Sequence, residues 1–132
     1  MTNPEIQHAV GTFSVALQPT EVEGTGVGVM TLSKTWSGDI VGTGDGVFAS
    51  GGDPSTGTAG YVALEHIEGR IGDREGGFAL QQYGQMVGGE ADLTYAVVPG
   101  SGSGHLTGIA GTMELTIEDG VHTYDLAFTL PG

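Results

Sequence analysis

Apolar and polar residues alternate with a period of two through most of the chain, and this alternation restricts the possible folds more than any other feature. Successive side chains of a β-strand point to opposite faces, so the pattern is typical of strands with one buried face. No stretch keeps a helical period over a dozen residues. The pattern predicts strands over residues 10–18, 27–35, 39–49, 60–69, 76–83, 91–98, 112–118 and 123–129.

Turn-forming residues separate these strands. Residues 50–58 are rich in Gly, Ser, Asp and Pro and predict a loop, and residues 70–75 predict a second connection. The Asp-Gly pair at 119–120 lies between the last two alternating segments and is typical of a hairpin turn. Three glycines between positions 42 and 46 interrupt the third strand, where we expect a bulge or a bend.

Glycine is the unusual part of the composition, with 26 of 132 residues. Glycine among short β-branched runs is typical of tight turns and sharply bent strands. Because no predicted helix covers a sheet face, the apolar faces of the strands must meet one another. A barrel closes its edges and uses glycine at its corners, which favours it over the alternative, a sandwich. The sequence therefore predicts one all-β domain over residues 1–132, an eight-stranded antiparallel up-and-down barrel of lipocalin-like architecture.

The charge balance excludes two classes of partner. Sixteen acidic residues face only Lys34, Arg70 and Arg74, for a formal net charge of −13. Nucleic acid binding depends on basic residues that displace counterions from phosphates, and this chain has too few to form a basic patch. An anionic membrane surface would repel the chain for the same reason. We expect neither nucleic acid nor membrane as a partner.

Cysteine is absent, which excludes disulfides, thiolate catalysis and cysteine-based zinc sites and is consistent with a cytoplasmic protein. Residues 1–10 have neither a basic nor an apolar region of a secretory signal, and no apolar run approaches the roughly 18 residues needed to span a bilayer. We therefore expect a cytoplasmic location.

Residues 97–111 contain the pattern G-S-G-x-G-x-L-x-G-x-x-G immediately before the last two strands. This pattern resembles the allene oxide cyclase superfamily of barrels. Residues 32–44, 61–69 and 77–84 resemble a bacterial family of uncharacterised function with the same barrel fold. The resemblance covers residues 11 to 130 and implies an allene oxide cyclase-like barrel.

That resemblance also bears on activity and assembly. Allene oxide cyclases and spirotetronate-type cyclases fold a flexible apolar substrate into a reactive shape, and dirigent proteins steer the coupling of radicals. Such catalysis depends on proximity and orientation with one or two polar groups. Related barrels assemble as dimers or trimers, so the resemblance implies a homo-oligomer. It transfers no catalytic residue to this chain.

The glycines of residues 100–111 have a structural interpretation. We expect them to let the chain turn sharply and lie close to the rim of the barrel. A nucleotide site is disfavoured because no helix N-terminus follows to receive a phosphate. A nucleophile elbow is disfavoured because neither Ser101 nor Ser103 has glycine two residues away on both sides.

Glu65 and Lys34 are the candidate catalytic residues. Glu65 shares a strand face with Tyr61 and Ala63, and in the lumen it would act as a general acid or base, whereas on the outer face it would be one acid among many. Lys34 shares a face with Trp36 and is the only lysine. It would pair with Glu65, hold an anionic substrate group near the mouth, or extend its stem over Trp36 into water.

Polar and aromatic residues of the strands are the candidate ligand contacts. Residues 81–83 span both strand faces, so at least one of the two glutamine amides there must point inward and needs a partner. The tyrosines would line a cavity with their hydroxyls, although aromatic residues in strands are more often plain core. The predicted ligand-binding residues are Met30, Trp36, Tyr61, Gln82, Tyr83, Tyr95 and Tyr124.

The four histidines, His8, His66, His105 and His122, stand singly in the sequence. A cupin-type metal site needs a His-x-His pair with further ligands, and the adjacent Glu65 and His66 point to opposite faces of a strand. We expect no metal and no cofactor.

Three functions remain open for such a barrel. The first is a cofactor-independent cyclase or isomerase that acts on a small apolar molecule in the lumen. The second is a carrier that binds a hydrophobic ligand without turnover. The third is a structural domain whose lumen is filled by Met30, Phe78 and Phe128.

Overall fold

Eight antiparallel strands form a closed barrel in the computed structural model, which describes residues 4–20 and 26–131. Each strand pairs with the next along the chain, and the last pairs with the first, which confirms the predicted fold class. The predicted domain ends, residues 1 and 132, lie outside the described residues. The strands are β1 (Gln7–Thr20), β2 (Gly28–Gly38), β3 (Ile40–Asp53), β4 (Thr58–Ile71), β5 (Arg74–Val87), β6 (Glu90–Val97), β7 (Ala110–Glu118) and β8 (Val121–Thr129).

Helical structure is limited to two short 3-10 segments, Pro54–Thr56 and Gly104–Leu106, in the part of the chain that the structure describes. Within those same ranges, neither segment has the length to cross a membrane.

Two predicted connections are shorter than expected. The predicted loop over residues 50–58 is corrected because β3 continues to Asp53, where backbone pairing with β4 does not depend on large side chains. The predicted connection over residues 70–75 is reduced to two residues, since Ile71 pairs directly with Arg74.

Of the bulge or bend predicted in the third strand, the bulge is absent, because β3 keeps one register with β2 and with β4 along its length. Its glycines instead face the interior, where the two backbones come too close for a side chain. A Cβ at Gly42 would overlap the backbone of Glu68, and a Cβ at Gly46 would overlap that of Leu64. Glycine therefore permits close approach here, and no extra residue is inserted.

The predicted Asp-Gly hairpin turn between β7 and β8 is confirmed. Asp119 has φ 51° and Gly120 has φ 79°, so both turn residues lie in the left-handed region. That combination is the type I′ geometry, whose twist matches the twist of paired strands. Asp119 is the only non-glycine residue with positive φ among residues 4–20 and 26–131.

One end of the barrel is closed by the segment between β6 and β7, residues 98–109. Leu106 and Ile109 of this segment are buried in the core. The hydroxyls of Ser101 and Ser103 accept hydrogen bonds from the β5 backbone, each at 3.0 Å. The structure thus gives this glycine-rich segment the structural role predicted for it.

The interior beside this segment is a packed core, which we call the closed half. It is formed by Ala9, Phe13, Trp36, Ile40, Ile67, Ile71, Phe78, Leu80, Tyr95, Val97, Leu106, Ile109, Met113, Tyr124, Leu126 and Phe128.

The opposite end, the mouth, has walls of unequal height. Strands β1 to β5 are 11 to 14 residues long, whereas β6, β7 and β8 have 8 or 9. Pairing between β1 and β8 stops at Phe13 and His122, although β1 continues to Thr20. The interior near the mouth is therefore less completely enclosed than the closed half.

Candidate functional site

A buried ion pair lies at the border of the closed half. Lys34 projects inward from β2 and Glu65 from β4, and the distance from Lys34 Nζ to Glu65 Oε1 is 2.9 Å. Their side chains are only 4% and 2% exposed. Of the alternatives open for these residues, the structure selects the one in which Lys34 and Glu65 pair inside the barrel.

Two aromatic residues complete the hydrogen bonding of this pair. Lys34 Nζ donates to Tyr95 Oη at 2.9 Å, and Trp36 Nε1 donates to Glu65 Oε2 at 2.9 Å. The ammonium also lies 4.4 Å from the centre of the Phe13 ring, a cation–π contact. We call Lys34, Trp36, Glu65 and Tyr95 the polar cluster. Every buried side-chain nitrogen and oxygen among the described residues has a hydrogen-bond partner.

Gly44 of β3 makes space for the Glu65 carboxyl group. A Cβ at Gly44 would overlap Oε2 of Glu65. Gly44 pairs with Lys34 on one side and with Ile67 on the other, so it lies level with the polar cluster. The glycine pattern of β3 is thus part of the construction of this cluster.

Tyr95 is held as a neutral phenol. Burial raises the pKa of Tyr95 far above its ordinary value, and the negative charge of Glu65 raises it further. The only charges within the polar cluster are therefore those of the ion pair. Because these charges compensate each other and their hydrogen bonds are made, the cluster offers no free cation to an incoming anion.

A cavity of about 620 Å³ lies at the mouth. Its lining is mostly apolar, and three of its inward-facing residues, Leu17, Leu93 and Ile117, are 45%, 42% and 58% exposed because nothing in the described chain covers them. The lining residues are Leu17, Met30, Phe48, Ser50, Ala59, Gly60, Tyr61, Gln85, Met86, Ala91, Asp92, Leu93, Leu115 and Ile117.

Tyr61 forms the polar part of the inner cavity wall. Its hydroxyl donates to Gln82 Oε1 at 2.9 Å, and its ring stacks on Phe48 with the centroids 4.8 Å apart. Burial raises the pKa of Tyr61, so the phenol stays protonated. Gly84 makes space for this ring, because a Cβ at that position would overlap it.

The structure divides the predicted site residues into groups. Met30 and Tyr61 line the cavity, and Gln82 contacts it through Tyr61. Lys34, Glu65, Trp36 and Tyr95 form the polar cluster, which is not part of the cavity wall. Tyr83 and Tyr124 lie elsewhere.

Tyr124, one of the predicted ligand-binding residues, lies in the closed half. Its hydroxyl accepts a hydrogen bond from the amide of Ile40 at 2.9 Å and donates to the carbonyl of Ser37 at 2.8 Å. Its ring packs edge-on against Trp36 in the closed half. Tyr124 therefore fastens the β2–β3 turn to the core and does not reach the cavity.

Tyr83, another predicted ligand-binding residue, lies on the outer surface of the barrel. Gln82 faces the interior, so the neighbouring Tyr83 must face outward, and it is 54% exposed. It belongs to an outer apolar patch across β3, β4, β5 and β6. The patch consists of Val47, Ala49, Val62, Leu64, Gln81, Tyr83, Thr94 and Ala96, which border a groove of about 480 Å³.

The three histidines whose contacts are resolved lie apart. His8 contacts Asp125 at 2.8 Å and His66 contacts Glu68 at 2.6 Å, both on the outer surface. The ring of His122 packs against Phe13. Within residues 4–20 and 26–131, no three His, Asp or Glu side chains are grouped so that they could hold a metal ion.

Most of the cavity wall was missed by sequence reasoning. Leu17, Phe48, Met86, Leu93, Leu115 and Ile117 all line the cavity. Their inward orientation follows from the alternation, but nothing in the sequence distinguishes a cavity-lining leucine from a core leucine. The cross-strand register and the lengths of β6 to β8 would have distinguished the cavity-lining residues from the core residues.

Comparisons with known proteins agree with this fold. The DUF3224 family, described as a protein of unknown function, matches residues 9–128. The crystal structure of a DUF3224-family protein of unknown function from Shewanella oneidensis MR-1, at 1.84 Å resolution, has a TM-score of 0.88 and 39% sequence identity, covering 97% of this chain and 100% of that one. No match is found among curated proteins. The chain therefore belongs to the DUF3224 family.

Proposed function

We propose that the barrel binds a small, uncharged apolar molecule in the cavity at its mouth. The observation that carries this proposal is the cavity itself, at about 620 Å³. Small-molecule sites have volumes of about 300 to 1,000 Å³ and combine apolar walls with a few placed polar groups. Here the walls are leucine, methionine and phenylalanine, and the inner polar group is the Tyr61 phenol.

Electrostatics favours an uncharged ligand. Asp92 lines the cavity, and the chain as a whole carries a formal charge of −13. The only lysine, Lys34, is neutralised by Glu65 and buried away from the cavity wall. A ligand carboxylate would therefore meet repulsion without a compensating cation. This argues against the alternative in which Lys34 holds an anionic substrate group.

The test is a titration with N-phenylnaphthylamine, an uncharged fluorophore whose emission rises in apolar surroundings. We expect saturable binding by the natural chain. Leu17→Glu places a carboxylate in the cavity wall and should weaken binding by at least about tenfold, since a charge would have to be desolvated.

Val121→Glu is the matched control, because Val121 is 51% exposed and does not line the cavity. It should bind the fluorophore as the natural chain does. Absence of saturable binding by the natural chain, or equal losses in the two variants, would contradict the proposal. Dodecanol should also displace the fluorophore at lower concentration than dodecanoate does.

A second candidate is a cofactor-independent cyclase or isomerase, and the polar cluster is the observation that favours it. Replacing a buried ion pair by apolar residues is often neutral or stabilising, so the pair is not needed for stability alone. The resemblance of residues 97–111 to allene oxide cyclases supports the same function. In this case the ion pair would position the Tyr95 hydroxyl, to which Lys34 donates a hydrogen bond.

Native mass spectrometry of the purified protein, with identification of any molecule that co-purifies, separates the two candidates. Recovery of the molecule unchanged after incubation supports carriage. Conversion that is lost in Glu65→Gln, while binding is kept, supports catalysis. A cytoplasmic location, proposed from the cysteine-free sequence, is compatible with either function.

We also propose that the chain forms a homo-oligomer through the outer apolar patch. None of its eight residues is charged, although the chain has 16 acidic residues, so two copies meet there with the least repulsion. Light scattering after size exclusion should give a multiple of 13.4 kDa. Leu64→Glu should reduce the measured mass to that of one chain, whereas Val121→Glu should leave it unchanged. A monomeric natural chain would refute the proposal.

A further inference from the structure

The β6–β7 seam is the weakest closure of the barrel. We define it as residues 90–95 of β6 and residues 113–118 of β7. The two strands pair at a single position, Ala96 with Thr112, whereas β6 pairs with β5 along all of β6, and β7 pairs with β8 along all of β7. On the mouth side of that position, residues 90–95 of β6 form no backbone pairs with residues 113–118 of β7.

The sequence gives a physical reason why the pairing stops there. Continuing the register from Ala96 and Thr112 would place Glu90 directly opposite Glu118 on the outer face. Like charges directly opposite each other destabilise an antiparallel pair. The same register would place Leu93 opposite Leu115, a favourable apolar pair, yet the backbone pairing does not extend to these positions.

The cavity extends along this seam. Leu93 and Ala91 of β6 line it from one side, and Leu115 and Ile117 of β7 line it from the other. The exposed fractions of Leu93 and Ile117 are 42% and 58%, although both belong to the inward-facing series of their strands. An apolar strip thus leads from the cavity toward the outside along two strands that pair with each other only at Ala96 and Thr112.

We propose that the β6–β7 seam is a lateral portal, and that it holds the tail of an elongated, uncharged apolar ligand. This inference rests on the proposed binding function and adds the shape of the ligand. The head of the molecule lies in the mouth cavity against Tyr61, and its chain extends between Leu93 and Leu115. A compact ligand fills the cavity alone, so only long ligands depend on the seam.

The experiment closes the seam with a reversible covalent bond. The chain has no cysteine, so Thr94→Cys with Glu114→Cys introduces a single possible disulfide, at outward positions that face each other in the continued register. Displacement of N-phenylnaphthylamine by hexanol and by dodecanol is measured for the oxidised and the reduced form of the same protein. The reduced form is the internal control.

Oxidation should weaken dodecanol binding by at least about tenfold, the loss expected when about two methylene groups are no longer buried. Hexanol binding should change by less than about twofold, because the cavity itself is untouched. Equal affinity of dodecanol in both forms would overturn the portal and leave the binding function standing. A reduced protein that binds neither alcohol would overturn both.

If the disulfide does not form, a bulky side chain replaces it. Ala91→Trp fills the seam from β6, and Ala16→Trp places the same side chain on the exposed outer face of β1. Because Ala91 also lines the cavity, the portal requires the first variant to weaken dodecanol binding more than hexanol binding, and the second variant to change neither. Equal affinities in the two variants would refute it.

Discussion

Phe78 and Phe48 both point into the barrel, yet their surroundings are opposite. Phe78 lies in the closed half and is 1% exposed, within a core that the 98–109 segment covers. Phe48 is half-buried and forms part of a cavity wall near the mouth. The same type of side chain in the same alternating pattern thus serves packing at one end and leaves open space at the other. The difference comes from what covers each end of the barrel.

The polar cluster lies at the boundary between these regions. Lys34 and Glu65 are each held by an aromatic partner from the packed side, Tyr95 or Trp36. The cavity begins one layer closer to the mouth, at Tyr61, which lies four residues before Glu65 on the same face of β4. The interior of the barrel therefore has three regions: a packed core, a buried charged layer and an open cavity.

Alanine at the two phenylalanines tests the comparison most strongly. Phe78→Ala should lower the free energy of unfolding by about 3 to 5 kcal/mol, because it opens a void in a packed core. Phe48→Ala should lower it by about 1 kcal/mol, because its ring is only partly buried and borders open space. Urea unfolding of both variants measures the difference. Equal losses would show that the two ends of the interior are packed alike.

Neutralising one member of the ion pair should cause the next largest loss in the free energy of unfolding. Glu65→Gln should destabilise the protein by about 3 kcal/mol, since Lys34 is left as an uncompensated buried charge. Adding Lys34→Met removes that charge and should restore more than half of the loss. A double variant as unstable as the single one would mean that the pair is not coupled in this way.

Gly44→Ala tests the boundary layer through its geometry. The new Cβ would displace the Glu65 carboxyl group, and we expect a loss of about 2 kcal/mol, as for overpacked interiors. Gly51→Ala on the same strand meets no atom within 4 Å and should change stability by less than about 0.5 kcal/mol. Thermal or urea unfolding of the two variants measures the difference. Similar effects of the two substitutions would contradict the close fit of Gly44.

Alkaline pH should weaken both regions, by up to about 1.4 kcal/mol per pH unit for each buried tyrosine. Burial raises the pKa of Tyr61, Tyr95 and Tyr124, so the folded state keeps their protons while the unfolded state loses them above about pH 10. Their contribution is complete below that pH and is lost as pH rises further. Tyr95→Phe should flatten the decline by up to about 1.4 kcal/mol per pH unit. An unchanged slope in urea unfolding above about pH 10 would contradict this.

Period-two alternation and turn chemistry in the sequence were sufficient for the eight strands, their antiparallel order and the Asp-Gly turn. The same alternation also placed Lys34, Glu65 and Tyr61 on faces from which they could meet. These features depend on residues close together in the chain, so a sequence pattern carries them. Pairing of Lys34 with Glu65 was one of several alternatives, because it needs two strands brought together across the barrel.

Only the tertiary structure decided where the core ends and the cavity begins. That boundary depends on the lengths of β6 to β8, on the register across the β6–β7 seam and on the segment that closes the other end. Tyr124 and Tyr61 have equivalent inward positions in the alternation, yet one binds the backbone of a turn and the other lines a cavity. The physical reason is that alternation specifies the face of a strand, whereas depth along the barrel axis is fixed by how all eight strands are staggered.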